Sequence, residues 1–321
     1  MKPVTVIIPN YNGMNYLPQC IEALRRQRTE AFDILVVENA SADGSAEWLR
    51  AQGVPFLPQE KNLGFAGGVN AGIRAVETPY VILLNNDTEV LPGFVEALLA
   101  AIERHPRIFS VSAKMLRTRE RGRIDDAGDG ISLPGWAYQR GTGEKEERFA
   151  KECDVFAACG GAAIYRTEAL KALGLFDEEH FAYLEDVDLG WRARLHGYFN
   201  RYCPAAAVYH FGSATSGSRY NAFKLRLSAR NHIWMSYKNQ PDWQLFVNAP
   251  WLLAGLLVKA AFFCEKGLLF DWLSGTAEGF RELRRVKRVD FRLVPPHRIL
   301  AIQWEMVLGT AEYLRHYFSR R

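Results

Sequence analysis

Four short segments of this 321-residue chain carry polar side chains that could do chemistry. The segment "LLNNDTEV" ends an apolar run with two amides and Asp87, and "VVENASADGS" ends another such run with Glu38. Further along, "YLEDVDLG" carries adjacent carboxylates and "VYHFGSATSG" carries His210. Carboxylates and an imidazole can hold a divalent cation or move a proton. Ligands of open α/β sheets bind beyond the carboxyl ends of strands, which is where these segments would lie.

Asp87 and His210 are the candidate metal ligands. One carboxylate and one imidazole make a weak divalent-cation site by themselves, and a bound diphosphate would supply the missing oxygen ligands. The alternative for Asp87 is a turn or a helix cap, because Asp is common in both. A histidine after a strand is more often structural, so that alternative stays open for His210.

The helix predicted over residues 183–198 offers a candidate general base. Its apolar residues recur at helical spacing along one stripe, and Asp188 and Arg192 are spaced for an i,i+4 ion pair on the flank. Asp186 projects opposite the stripe and has no such partner, as a general base requires. The alternative is an ordinary first-turn carboxylate, which the helix dipole favours.

A glycine-rich segment, "NLGFAGGVNAGI", opens another predicted helix. Glycine permits close approach of the backbone to a ligand, and the N–H groups at a helix start attract phosphate. The alternative is a glycine face that packs closely on the sheet. The first strand is not followed by G-x-G-x-x-G, which argues against a nicotinamide enzyme, and the chain has no P-loop sequence.

The order of predicted elements indicates an α/β fold with a mainly parallel sheet covered on both faces. Apolar strands alternate with helices from Val4 to Pro106. Residues 117–151 are rich in Arg, Gly, Glu and Asp, and we expect them to form a mobile loop or hairpin insertion. From about Pro241 onward the chain is predicted to be helical, aromatic and basic.

Composition and charge limit the classes of function. A hydrophobic fraction of 48% and a charged fraction of 24% are typical of a globular protein. The formal net charge of +4 is too small to predict nucleic-acid binding. Five scattered cysteines without a C-x-x-C pair predict a reduced, cytosolic protein without disulfides. Because the first strand begins at Val4, we expect no signal peptide.

Together these segments resemble the inverting glycosyltransferase family 2, with its GT-A fold, and within it the rhamnosyltransferase-like enzymes of bacterial surface polysaccharides. The resemblance rests on "VIIPNYNG", "VVENASADGS", "NLGFAGGVNAGI", "LLNNDTEV", "FDEEHFAYLEDVDLGWRARLHGY" and "VYHFGSATSG", in the family's order. It implies a catalytic domain over residues 1–240 and leaves 241–321 as a helical extension. It also implies sugar transfer from a nucleotide-diphosphate donor, a dTDP- or UDP-sugar such as dTDP-rhamnose, to a glycan or polyprenyl-linked acceptor. Mg²⁺ or Mn²⁺ would be the cofactor.

The resemblance further implies a role for each matching residue. Asp87, in a D-x-D-like sequence that begins with Asn85, would be the main metal ligand and His210 the second. Asp186 would be the catalytic base, with Glu185 as the fallback. The donor would contact Pro9, Tyr11, Asn12, Glu38, Asn39, Ser41, Asn62, Gly64, Phe65, Asn70, Asn85 and Asn86. The acceptor would lie near Gly160, Gly161 and Trp191. Glu38 replaces the family's usual base-reading Asp, which leaves uridine and thymidine donors both open.

Alternatives remain for the function and for the C-terminal segment. One alternative function is that of a non-catalytic nucleotide-sugar-binding protein of the same fold. Another is that of a sugar-nucleotide pyrophosphorylase, although this chain lacks the glycine- and arginine-rich first loop of those enzymes. The stretch "LFVNAPWLLAGLLVKAAFF" falls short of a clean membrane span. It could cover the catalytic domain or form a homodimer interface. It could instead lie on the cytoplasmic face of the inner membrane near a lipid-linked acceptor, helped by the cations of residues 281–292.

Overall fold

The computed structural model of the chain describes residues 2–212 and 221–319, so the end of the motif around His210, residues 213–217, lies outside it. The strands are β1 (Val4–Asn10), β2 (Phe32–Glu38), β3 (Phe56–Pro58), β4 (Tyr80–Leu84), β5 (Thr88–Val90), β6 (Ile108–Arg117), β7 (Ile124–Asp126), β8 (Asp129–Ile131), β9 (Ala137–Gln139), β10 (Cys153–Val155), β11 (Ala162–Arg166) and β12 (Phe199–His210). The helices are α1 (Leu17–Arg25), α2 (Ser45–Ala51), α3 (Gly64–Arg74), α4 (Phe94–Glu103), α5 (Thr167–Ala172), α6 (Glu185–Leu195), α7 (Ala222–Asn239), α8 (Asp242–Glu265), α9 (Leu269–Arg281) and α10 (Pro296–Ser319). Short 3-10 helices cover Glu146–Phe149, Glu178–His180, Leu283–Arg285 and Phe291–Leu293.

The central sheet is mixed and mainly parallel. Its order is β10-β12-β6-β11-β4-β1-β2-β3, with β5 paired to β12 and β7 to β6. The strands β1, β2, β3, β4, β6 and β12 run in one direction, and the other four run against them. As a result β1, β2, β4 and β12 end at the same edge of the sheet, which is where the polar segments follow them.

Both faces of the sheet are covered, as the continuous apolar strands predict. In β1, Val6 and Ile8 join a buried cluster with α1, α2 and α4, whereas Ile7 joins a second cluster with α3, α5 and α6. The predicted α/β class with helices on both faces is therefore confirmed.

Helix α3 begins at Gly64, within the glycine-rich segment. A side-chain carbon at Gly72 would lie 2.6 Å from Ile7 and 3.0 Å from Val37, so this glycine lets α3 pack directly on the sheet. One early helical N–H, that of Ala66, already donates to the carbonyl of Phe181 at 3.1 Å. The packing alternative explains these glycines better than phosphate binding does.

Residues 117–151, for which we expected a loop or hairpin insertion, contain the β8–β9 hairpin and further short elements. They contain β7, β8, β9 and a 3-10 helix, and β7 extends the main sheet by pairing with β6. Ile124 and Ala127 are buried in a cluster with Val155 and Tyr202. Three-residue strands that pack on an existing sheet need few large apolar residues. The polar composition of residues 117–151 therefore gave no indication of these strands.

The C-terminal part is helical, as predicted, and it is packed on the preceding residues. Ile302 and Met306 of α10 share a buried cluster with Trp191 of α6 and Leu133 of the β8–β9 connection. The division at residue 240 stays a prediction.

Candidate active site

A hydrogen-bonded bridge joins the ends of three strands. Asn10, at the end of β1, donates from Nδ2 to Oε2 of Glu38 at 2.6 Å. Asn86, after β4, donates from Nδ2 to Oδ1 of Asn10 at 2.7 Å. The backbone N–H of Ser41 donates to Oε1 of Glu38 at 2.9 Å. Asn10 was missed by the sequence analysis, although its place between a strand and "YNG" could have indicated a strand-end residue.

This bridge changes the roles that were expected for Glu38, Asn39 and Asn86. Glu38 is only 2% exposed and both its oxygens accept hydrogen bonds from the protein, so it has no free carboxylate edge for a base. Asn39 is also buried and donates to the carbonyl of Gly64 at 3.3 Å. These buried side chains hold the loops of the cleft together. The exposed positions at this end of β1 are Tyr11 and Asn12.

Asn12 and the neighbouring Pro9 and Ser41 stay candidates for donor contact. The backbone N–H of Asn12 donates to Oγ of Ser41 at 2.8 Å, which couples the β1 loop to the β2 loop. Pro9 and Ser41 are half-buried. Asn12 has a φ of 50°, a left-handed conformation that Asn tolerates better than most residues.

The expected donor contacts at α3 divide into two groups. Asn62 accepts the N–H of Gly64 at 2.8 Å, and the half-buried Phe65 lies beside Gly160, so this group borders the cleft. Asn70 does not. Its amide donates to the carbonyl of Phe176 at 2.9 Å and accepts the Phe176 N–H at 3.1 Å. The buried amide of Asn70 therefore fixes the chain before α6, and its contact with the donor stays a prediction.

Asp87 and His210, more than a hundred residues apart in sequence, meet in the fold. Nε2 of His210 lies 3.3 Å from Oδ1 of Asp87, because β12 pairs with β5 directly after Asp87. On the other side, Nδ1 of His210 lies 2.7 Å from Oδ2 of Asp125. Asp125 comes from the insertion and was not among the expected site residues.

These residues fit a divalent cation. Burial alone would lower the pKa of His210, but its hydrogen bonds to Asp125 and Asp87 raise that pKa to about 10. A cation that binds Nε2 would therefore have to displace a proton from the imidazole. Asp125 engages Nδ1, which leaves Nε2 as the nitrogen directed at Asp87. A carboxylate that fixes an imidazole from behind is the usual partner of a histidine metal ligand. A diphosphate would complete this small donor set with oxygen atoms.

Asp186 lies at the start of α6, against the turn before β11. Its Oδ2 accepts the N–H of Gly160 at 2.9 Å and its Oδ1 accepts the N–H of Val187 at 2.8 Å. Burial raises the pKa of the Asp186 carboxyl. The N–H of Asn85 donates to the carbonyl of Gly161 at 2.8 Å, so the same turn connects Asp186 to the strand end that carries Asp87. The expected base and the expected metal ligands therefore share one edge of the sheet.

The other two expected site residues of α6, Glu185 and Trp191, are buried in the structure. Glu185 is only 5% exposed, so its carboxyl has little access to an acceptor hydroxyl, whereas Asp186 is half-buried. Trp191 is fully buried and its ring meets that of Phe156 at a centroid distance of 5.3 Å. It therefore has no surface for an acceptor. By contrast, the predicted Asp188–Arg192 ion pair is present at 2.9 Å.

The buried Asp126 and Asp129 and the half-buried Cys159 form a group near Asp186, whose charge acts on Asp129. One ligand atom from each lies within 4.8 Å of the others. Burial raises the pKa of Asp126 to about 7, and burial with the charges of Asp126 and Asp186 raises the pKa of Asp129 well above its usual range. Protonated carboxyls are poor metal ligands but can donate hydrogen bonds. The motif "DDAGDG" could have indicated these residues. It was missed because the whole insertion is rich in polar and charged residues.

A family model for glycosyl transferase family 2 matches residues 5–174, which is more than half of the chain and includes Asp87. The chain belongs to glycosyl transferase family 2. This confirms the resemblance, and it confirms that the protein is a glycosyltransferase. The C-terminal helices lie outside the matched range.

A relative and two solved structures agree with this assignment. The chain is 26% identical over 280 residues, 78% of this chain and 89% of the relative, to the N-acetylglucosaminyl-diphospho-decaprenol L-rhamnosyltransferase of Mycobacterium tuberculosis. S. aureus TarS 1-349 in complex with UDP-GlcNAc covers 100% of this chain and 92% of its own at a TM-score of 0.60 and 17% identity. The match to the mannosyltransferase PcManGT from Pyrobaculum calidifontis, in complex with GDP-Man and Mn²⁺, covers 96% of this chain and 86% of PcManGT, at a TM-score of 0.54 and 15% identity. Both structural likenesses support the GT-A fold.

Proposed function

We propose that this glycosyltransferase moves a sugar, with inversion, from a dTDP- or UDP-sugar to a hydroxyl of a glycan or polyprenyl-linked acceptor in cell-surface polysaccharide synthesis. The observation that carries the proposal is that Asp186 and Asp87 lie at the same edge of the sheet. Hydrogen bonds of Gly160 to Asp186 and of Asn85 to Gly161 connect the two positions. The name of the Mycobacterium tuberculosis relative, a rhamnosyl transfer to a decaprenol-linked amino sugar, supports dTDP-rhamnose and a polyprenyl carrier. Because a decaprenol chain is a membrane lipid, the proposed site of action is the cytoplasmic face of the inner membrane.

Asp87 and His210 would hold Mg²⁺ or Mn²⁺, with Asp125 orienting the imidazole. When bound, the cation would stabilise the charge of the departing nucleoside diphosphate. The half-buried Asn85 and the exposed Tyr11 and Asn12 are the donor contacts that remain accessible beside this pair.

Asp186 would act as the general base. Its carboxylate is aimed by the N–H groups of Gly160 and Val187, and burial makes it a stronger base than an exposed aspartate. It would take the proton of the acceptor hydroxyl as that oxygen forms a bond to the anomeric carbon. The bond from the anomeric carbon to the diphosphate breaks on the opposite face, so one displacement inverts the centre.

The deciding experiment is a transfer assay with dTDP-rhamnose and UDP-sugars, in which NMR determines the anomeric configuration of the product. We expect inversion and a requirement for Mg²⁺ or Mn²⁺. A product with retained configuration would contradict the single displacement. In calorimetry, Asp87→Ala should bind the nucleoside diphosphate more weakly in the presence of Mn²⁺, and equal affinity would contradict the metal role.

A further inference from the structure

Helix α8 has polar side chains inside and apolar side chains outside. On its inner face, Gln244 and Asn248 are buried and both donate to Oε1 of Gln303 in α10, at 2.8 and 3.0 Å. On its outer face, Phe246 is 82% exposed and Leu257 is 64% exposed. A surface helix of a water-soluble domain normally has the opposite arrangement. The outer face of α8 is therefore better suited to an apolar environment than to water.

The apolar outer face of α8 is continuous along the helix. Large exposed side chains occur from its first turn to its last, and they include Trp243, Phe246, Trp251, Leu253, Leu257 and Phe262. The only charged residue between Asp242 and Glu265 is Lys259. Its ammonium lies 5.4 Å from the centre of the Trp136 ring, on the inner side, so no charge interrupts the outer face.

Helix α10 extends this surface. Leu300, Trp304 and Leu308 lie along its outer side and are all more than half exposed. Both helices rest on the β8–β9 hairpin. A side-chain carbon at Gly255 of α8 would lie 2.6 Å from Pro134, and one at Gly309 of α10 would lie 2.0 Å from the carbonyl of Ile131. Because the two helices share this support, their outer sides face away from it together. We call this combined surface the outer face.

Cations border the outer face at one end. Residues 281–292 contain six cations and two carboxylates. Arg288 anchors this segment to the start of α8 through Asp242 and the carbonyl of Gln240, both at 2.6 Å. Arg292 lines one shallow groove of about 440 Å³ with Trp243 and Leu300, so a guanidinium lies where the two helices' outer sides meet.

We propose that the outer face binds the surface of a bilayer that contains anionic lipid. Apolar and aromatic side chains would enter the boundary between headgroups and acyl chains, and the cations would contact the anionic headgroups. A homodimer is the rival occupant, but a protein interface carries a polar, hydrogen-bonding rim, whereas this face is apolar along two helices and is bordered on one side by residues 281–292, in which six cations outnumber two carboxylates. Burial of the outer face in lipid accounts for its apolar surface and for the excess of cations beside it.

The helices would lie on the membrane and not cross it. Among the described residues, α8 is the one helix long and apolar enough to span a bilayer, and 11% of its most apolar stretch is buried. Its inner face, however, is tied to the protein by Asn248, by Gly255 and by Phe263, which stacks on Trp272. A spanning orientation would break these contacts and expose buried amides to hydrocarbon.

This placement also bears on the acceptor, and this step rests on the proposed function. The hairpin that supports the outer face begins at Asp129, whose carboxyl is close enough to Asp186 for the charge of Asp186 to raise its pKa. A polyprenyl-linked acceptor anchored in the bilayer would therefore present its sugar near the catalytic base. Binding to lipid itself does not depend on the sugar chemistry.

Vesicle co-sedimentation of the full-length protein tests the proposal. We expect binding to phosphatidylcholine vesicles that contain phosphatidylglycerol, and weaker binding to phosphatidylcholine alone. The double variant Leu253→Asp/Leu257→Asp should lose binding at least about tenfold, since a charge in the interface is strongly disfavoured. Ala100→Asp, an apolar-to-charged change at an exposed position of α4, should bind like the wild type.

A second variant and its control test the contribution of the cations to vesicle binding. Arg284→Glu/Arg285→Glu should weaken binding to the anionic vesicles by more than about tenfold, because each cation near such a surface contributes roughly 1 kcal/mol, or fivefold. Arg28→Glu, on an exposed loop of the catalytic part, should have no effect. All these sites are exposed, so the thermal unfolding midpoint and the affinity for nucleoside diphosphate should stay unchanged.

Three results would overturn the proposal. One is a full-length protein that stays in the supernatant with both kinds of vesicle. Another is a lipid-free dimer in sedimentation equilibrium that Leu253→Asp/Leu257→Asp dissociates, together with no vesicle binding, which would assign the outer face to a second copy. The third is resistance of the membrane-bound protein to alkaline carbonate extraction, which would indicate a spanning helix. A protein that binds vesicles but transfers no sugar would contradict only the proposed function.

Discussion

Nδ1 of His210 lies 2.7 Å from Oδ2 of Asp125, while Nε2 of the same ring lies 3.3 Å from Asp87. Asp125 belongs to the insertion and Asp87 to the end of the parallel part of the sheet. The imidazole therefore joins two parts of the chain that the sequence analysis treated separately. Asp125 would act as a positioning residue for the proposed metal ligand.

Replacement of Asp125 by Asn should weaken the dependence of donor binding on metal. Loss of a carboxylate behind a histidine ligand typically costs about 10- to 100-fold in metal affinity. Calorimetric titration with nucleoside diphosphate, with and without Mn²⁺, measures the effect. Glu147→Gln, an exposed carboxylate of the same insertion, serves as the control. Equal Mn²⁺ enhancement in wild type and Asp125→Asn would remove Asp125 from the site.

Asp186→Asn should reduce turnover by roughly 10²- to 10⁴-fold, the range for loss of a general base. The amide keeps an oxygen for the N–H of Gly160, so donor affinity should change little. The neighbouring variant Glu185→Gln is the matched control, because Glu185 is only 5% exposed and has little access to an acceptor hydroxyl. Initial rates of transfer and calorimetry give both quantities. Loss of turnover in Glu185→Gln with activity kept in Asp186→Asn would exchange the two roles.

Asp126 should make stability depend on pH. Burial raises its pKa from 3.8 to about 7. A carboxyl with a raised folded-state pKa contributes stability that is fully present below its unfolded-state pKa and is lost as the pH rises through its folded-state pKa. The thermal unfolding midpoint of the wild type should therefore fall more steeply between about pH 4 and pH 8 than that of Asp126→Asn, which stays neutral. Parallel curves for the two proteins would show that Asp126 is not the titrating group.

Asn70 should matter for stability and not for the donor. Its buried amide exchanges two hydrogen bonds with the backbone of Phe176, so Asn70→Ala should cost about 1–3 kcal/mol in the free energy of unfolding. Denaturant unfolding measures this loss, and calorimetry should find unchanged affinity for nucleoside diphosphate. Asn15→Ala, at an exposed position, should leave both quantities unchanged. A specific loss of donor affinity in Asn70→Ala would confirm the contact that the sequence analysis expected.

The local pattern of the sequence was sufficient for most of the first half of the fold. Strands such as β1 and β2 are continuous apolar runs, and helices such as α1 and α4 have proline near the start and regular apolar spacing, so short-range information specifies them. The individual strands of the insertion were not predicted, because they are short and are stabilised by pairing with β6 and by burial beneath later elements. Such stabilisation involves partners far away in sequence, which no local pattern contains.

The sequence alone determined the α/β class, the family and the residue types at the site: a carboxylate after β4, a histidine at the end of β12 and adjacent carboxylates at the start of α6. Only the tertiary structure decided which of them meet. It brought Asp87 to His210 because β5 pairs with β12, and it engaged Glu38 and Asn70 in hydrogen bonds that hold loops. Residue chemistry can be read from one position, whereas exposure and partnership depend on what the rest of the chain packs around it.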